Sequence, residues 1–200
     1  MTVMASFFYN LNTGKIFSAM KKRLILLSFL LTASSSLIIS QQVPDLSYSP
    51  EITSPAYSKG NGPVVLVDEG HNNFHTTEGR YKPFALLLAK DGYNVKPYTW
   101  KFTAEGLREA KILVIANAIN EYNTDRWYRP VLPAFTPGEV KIVKQWVEDG
   151  GSLFLIADHM PFGGAARDLA LAFGFSFTDG IALDTTHPGP TYFYRSEGTL

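Results

Sequence analysis

Asp68, Glu69, His71, Asn72, Asn73 and His75 fall within eight consecutive positions, and that density of acids, imidazoles and carboxamides is the clearest chemical signal in the chain. Two chemistries suit these residue types. A carboxylate paired with an imidazole can act as a general base, with Glu69 or Asp158 orienting His159 or His71. Alternatively, Asp68, His71 or His75, Asp158 and His159 offer oxygen and nitrogen ligands to zinc or a similar divalent ion that activates a water. Neither has a spacing signature such as H-E-x-x-H, and no G-x-S-x-G elbow supplies a serine nucleophile. A third reading assigns no chemistry: Asp68 and Asp158 cap loops through backbone hydrogen bonds, and the histidines satisfy turns. Glu69, His71, Asp158 and His159 are therefore the catalytic candidates. Asp68, Asn72, Asn73, His75, Asn117 and Trp127 are candidates for holding a ligand, and the identity of any metal stays open.

The elements that must position these side chains follow from hydrophobic patterning. Pro63-Val-Val-Leu-Val67 is a short apolar β-branched run that breaks into the polar cluster, the pattern of a strand buried on both faces. Further strands are expected near 94–98, 111–116 and 152–157, with Asp158-His159 at the carboxyl end of the last. Helices are expected from about Gly79 to Lys90, with Thr77 as cap, weakly from Phe102 to Ala110, and from Ala165 to Phe173. Another follows Thr136-Pro137-Gly138-Glu139, where Thr as N-cap, Pro at the first position and Glu three residues on complete a capping box. Phe175 to Phe177 reads as a fifth strand.

This alternation implies a three-layer α/β domain with a parallel sheet and right-handed crossovers. In such sheets ligands bind at the carboxyl ends of the strands. With the common 2-1-3-4 order, the clusters after the first, third and fourth strands become neighbours. Strand spacing puts the Asp68 and Asp158 ends roughly 10 Å apart, so the two clusters are expected to line one pocket.

Asn117 to Phe135 is a long connection of the kind that forms lids or binding segments. Its Trp127 and Tyr128 can stack on a sugar ring or pin the loop to the body. Gly163-Gly164 can expose helix-terminal amides to an anion or let the backbone turn tightly. His187, between Thr186 and Pro188, reads as a loop residue.

Met20-Lys-Lys-Arg followed by the apolar run Leu24 to Ile39 has the layout of a secretory signal peptide, with Met20 the more natural start and cleavage expected near Ser40. Residues 1–40 are thus upstream residues plus signal, 41–61 a flexible Pro- and Ser-rich linker, and 62–200 the folded domain. An uncleaved anchor is the alternative, although the run is short of the ~20 residues a span needs. The chain holds no cysteine, which excludes disulfides and thiol chemistry. Its formal charge of zero hides an asymmetry, because all four charges before residue 41 are basic and the remainder is net acidic. A nucleic-acid partner is disfavoured on that ground. A periplasmic or extracellular location is expected. From Asp179 the chain turns Gly- and Pro-rich without a further element, which raises the expectation of a fragment of a longer protein.

The segments VDEGHNNFHTTEGRYKPFALLLAKDGYNV, VIANAINE and LFLIADHMPFGGAARDLALAFGF resemble an uncharacterised bacterial family with a class I glutamine amidotransferase-like fold. Its relatives include gliding-motility-associated auxiliary proteins of ABC transporters and trehalose-utilisation-like proteins. The resemblance covers roughly Gly62 to Gly180. It implies a flavodoxin-like sheet and a carbohydrate or cell-envelope role. It does not imply amidotransferase activity, since active members of that fold use a cysteine after a strand and this chain has none. Two functions follow as expectations. The first is an exported hydrolase-like enzyme acting on a polar or glycan-like substrate. The second is a catalytically inert envelope module that binds a small polar, carbohydrate-like ligand or a protein partner.

Overall fold

The computed structural model describes residues 43–182. The expected signal segment and His187 lie outside them. Within them the order is β1 (Val64–Asp68), α1 (Lys82–Lys90), β2 (Asn94–Tyr98), α2 (Ala104–Leu107), β3 (Ala110–Ala116), α3 (Pro137–Glu148), β4 (Ser152–Ile156) and α4 (Phe162–Ala172). The four strands form one parallel sheet in the order β2-β1-β3-β4. The topology is thus mixed α/β, with the central strands β1 and β3 delivering their carboxyl ends side by side.

Side chains alternate across a strand, and the two faces of the sheet have separate cores. Leu66, Leu113 and Ile115 pack with Leu107 of α2, Val143 of α3 and Leu169 of α4. Val65, Val67 and Val114 face the other way, toward Phe84 and Leu88 of α1. Continuous apolar runs in β1 and β3 therefore reflect helices on both faces, a layering consistent with a three-layer α/β fold. Among the described residues, no helix is long and apolar enough to cross a membrane.

Several boundaries differ from expectation. α1 begins at Lys82 rather than Gly79, after Tyr81, and has no side-chain cap. Thr77 does not cap it, because its amide and hydroxyl both donate to Glu69. α4 begins at Phe162, so Gly163 and Gly164 stand in its first turn rather than before it. A Cβ at Gly163 would lie 2.5 Å from the Thr178 carbonyl oxygen, and one at Gly164 2.8 Å from Asp179 Oδ1. Close passage of the returning chain is what those glycines permit. Phe175–Phe177 forms no strand. The stretch before β1 has no regular structure, yet it is tied down: Ala56 donates to the Asp91 carboxylate, Gly62 to the Gly92 carbonyl, and Tyr57 packs edge-on against Tyr93.

Candidate functional site

β1 ends in Asp68, and the chain then turns sharply under the segment that follows β2. Gly70 makes that turn possible, since a Cβ there would sit 2.4 Å from the Trp100 carbonyl oxygen. The turn carries His71 inward, where the ring packs against Phe102 and Phe135 at centroid distances of 4.5 and 4.8 Å. Asp68 and His71 are both fully buried. Nδ1 of His71 lies 2.8 Å from Asp68 Oδ1, and Nε2 lies 2.8 Å from Glu139 Oε1. Each ring nitrogen thus faces a carboxylate, and only a ring with two N–H groups donates to both.

Neither carboxylate depends on His71 alone. Asp68 also accepts from the Gly70 amide and the Asn73 side chain. Glu139 belongs to the expected capping box of α3, where Oε2 accepts from the Thr136 amide and hydroxyl. Its other oxygen accepts from the Phe102 amide as well as from His71. Burial alone would push the Glu139 carboxyl up. The Thr136 amide, the His71 ring and the Thr136 hydroxyl outweigh that and bring it down to about 2. The result is a buried carboxylate–imidazole–carboxylate bridge that fastens the β1 loop to the first turn of α3. Asp68 and His71 expose no surface and Glu139 only 5%, so the bridge is closed to a substrate.

Glu69, Asn72 and Asn73 of the β1 loop are also engaged with the loop's own backbone or neighbours, whereas His75 Nδ1 is buried with no partner among the described residues. Glu69 Oε1 holds both donors of Thr77 at 2.7 Å. Asn73 accepts from the His71 amide, while Asn72 donates to the Ile119 carbonyl. Asn72 and Asn117 have left-handed backbones, with φ of 49° and 51°. Asparagine tolerates that region better than other non-glycine residues, so its type at both positions has a conformational reason.

Asn117 is the centre of a second cluster, nearer the surface. Pairing between β3 and β4 continues one step past the sheet, with the Asn117 amide donating to the Ile156 carbonyl. The Asn117 side-chain amide then reaches His75 Nε2 at 3.3 Å and Asp158 Oδ2 at 3.1 Å. Its oxygen accepts from the Asp158 amide. His75 stacks on Tyr81 at 4.5 Å. Burial lowers the His75 pKa, opposed by the Asp158 carboxylate and aided by Arg80. A neutral ring accepting at Nε2 suits the Asn117 donor. Burial, with Asp158, raises the Tyr81 phenol, keeping it a donor. Asp158 itself is exposed, and His159 is half-buried with Nδ1 donating to the Met160 carbonyl. Its Nε2 makes no hydrogen bond among the described residues.

The long β3–α3 connection forms the rim. It is organised by Asn123, fully buried, whose side chain donates to the carbonyls of Arg126 and Pro130 and accepts from the Leu132 amide. That hub holds Trp127 against Phe74 and Phe162, edge to face at 5.4 and 5.2 Å, and 6.0 Å from the His159 ring. Trp127 stays 39% exposed while its indole N–H donates to the Thr124 carbonyl.

The ten candidates therefore separate into two groups. Asp68, Glu69, His71, Asn72 and Asn73 brace the loop, and Asp68 and His71 are sealed from the edge where a shared pocket was expected. His75, Asn117, Asp158, His159 and Trp127 converge at that edge. Two residues were missed in the sequence. Glu139 was visible there only as half of a capping box, and Asn123 carries no local signal beyond its place in a long loop. Among the described residues, no group of three His, Asp or Glu side chains is arranged to hold a metal ion. Compared with protein-family models, curated proteins and solved structures, the chain matches none.

Proposed function

We propose that the chain is an exported, flavodoxin-like module of the class I glutamine amidotransferase-like kind that binds a small polar, carbohydrate-like ligand without turning it over. One observation carries this reading. The only imidazole in direct contact with carboxylates among the described residues, His71, is buried with both nitrogens engaged, whereas the accessible groups are an aromatic ring, a carboxylate and a half-buried imidazole. General acid–base work of the expected kind pairs a carboxylate with an accessible imidazole. Of His159, Asp158 meets only the backbone amide, and the ring Nδ1 is engaged with the Met160 carbonyl. Recognition needs only convergent polar groups beside an apolar surface. Trp127 supplies the apolar surface, Asp158 accepts hydroxyl hydrogen bonds, and His159 Nε2 adds a further polar contact. The hydrolase expectation has less support, because Asp158 reaches His75 only through the Asn117 amide.

Trp127→Ala and Asp158→Asn are each expected to weaken binding of a responsive oligosaccharide at least tenfold by calorimetry, with far-UV circular dichroism unchanged at the assay temperature. Full affinity in both variants would reject the site. Export is tested separately by the intact mass of envelope material. A mature chain starting near Ser40 supports it, and one starting at Met1 or Met20 means a retained anchor or no export.

A further inference from the structure

β2 and β4 are the two edges of the described sheet, and they are built differently. β2 reads Asn-Val-Lys-Pro-Tyr. Lys96 places a charge on that edge and Pro97 has no N–H to offer, two recognised obstacles to edge-to-edge pairing. β4 reads Ser-Leu-Phe-Leu-Ile, without charge, proline or bulge. That is the composition of a strand with neighbours on both sides, yet its described neighbour is β3 alone, and Phe154 is 52% exposed. A groove of about 520 Å³ runs beside it, walled by Leu153, Leu155, Phe173, Phe175 and Phe177, with no ionisable side chain in its lining.

We propose that β4 pairs antiparallel with β4 of a second copy of this chain, about a twofold axis at Phe154, joining two four-stranded sheets into one of eight. The strand itself argues for a second copy over another partner. Leu153-Phe154-Leu155 reads the same in both directions, so antiparallel self-pairing sets leucine opposite leucine and Phe154 opposite its own counterpart. Aromatic pairs directly across a ladder are favourable, and a twofold contact requires this kind of self-complementarity. A groove without ionisable groups also meets itself without like-charge repulsion, and it offers a charged partner no counter-ion.

The absence of cysteine makes a clean test, because one introduced thiol can pair only with its own copy. Residues directly opposite in an antiparallel pair have Cα atoms about 4.5–5.5 Å apart, within disulfide range. Oxidised Phe154→Cys is therefore expected to run as a covalent dimer. Ser152→Cys is not, since its two copies lie about 14 Å apart along the strand. Sedimentation of the unsubstituted full chain is expected to show a dimer at micromolar concentration. Phe154→Lys should weaken it at least tenfold with unchanged far-UV circular dichroism. A full chain that stays monomeric, a dimer indifferent to Phe154→Lys, or equal cross-linking at 152 and 154 overturns the proposal. So does a monomer in which the Leu153 and Leu155 amides, which point away from β3, resist hydrogen exchange, since other residues of the same chain would then cover the edge.

Discussion

Replacing His71 with alanine is expected to lower the stability of the domain by about 3–5 kcal/mol, far more than replacing His159. The size follows from what stays behind. Asp68 is 0% exposed and Glu139 5%, and without the ring two buried carboxylates lose the group that lies between them. Removing one partner of a buried ionic set leaves uncompensated charge, which costs far more than the set itself contributes. The lost ring also leaves a void between Phe102 and Phe135. His159→Ala, at a half-buried position with one hydrogen bond to a neighbouring carbonyl, is expected to cost under about 1 kcal/mol. Urea denaturation of both variants checks the contrast. Equal losses would mean that His71 is not the keystone of the loop.

The same bridge gives the domain a defined acid sensitivity. Glu139 titrates at about 2 in the folded chain against 4.5 for the free side chain. A carboxyl with a depressed native pKa binds fewer protons folded than unfolded between those values, so stability rises with pH across the window. Its contribution is complete above about pH 4.5 and is lost as the pH falls toward 2. The difference corresponds to roughly 3 kcal/mol on the usual conversion of one pKa unit. Urea midpoints at pH 5 and pH 2.5 should therefore diverge more in the unsubstituted chain than in Glu139→Gln. Parallel losses in the two would place the acid sensitivity elsewhere.

Much of the fold was legible because strands declare themselves by composition. The runs at 64–68, 94–98, 110–116 and 152–156 begin and end within a residue or two of the expected positions. The capping box at Thr136 set the start of α3 correctly, since its signal is local. Phe175–Phe177 failed as a strand although its residues suit one, because three apolar-leaning residues after a helix do not by themselves find a ladder partner. The start of α1 was missed for a related reason. Thr77 has the chemistry of a cap, but Glu69, brought near by the turn at Gly70, holds both of its donors first.

The site was half legible. The residue types at the strand ends were plain, and three of the four histidines do lie near that edge. What separates His71 from His159 is not local. Phe102 and Phe135, tens of residues downstream, close over His71, and Glu139 reaches it across 68 positions of sequence. No pattern around His71 announces those partners.

The edge divides into a buried brace and an exposed recognition surface, and one measurement tests that division directly. The full chain would be titrated with a panel of soluble oligosaccharides while the Trp127 indole and His159 imidazole signals are followed by NMR, with the same samples assayed over time for product. Saturable shifts at Trp127 and His159 are expected for at least one member of the panel, with no movement of the His71 ring and intact ligand at the end. Consumption of the ligand that Asp158→Asn abolishes, or a panel that leaves Trp127 and His159 unmoved throughout, would contradict that reading of the edge.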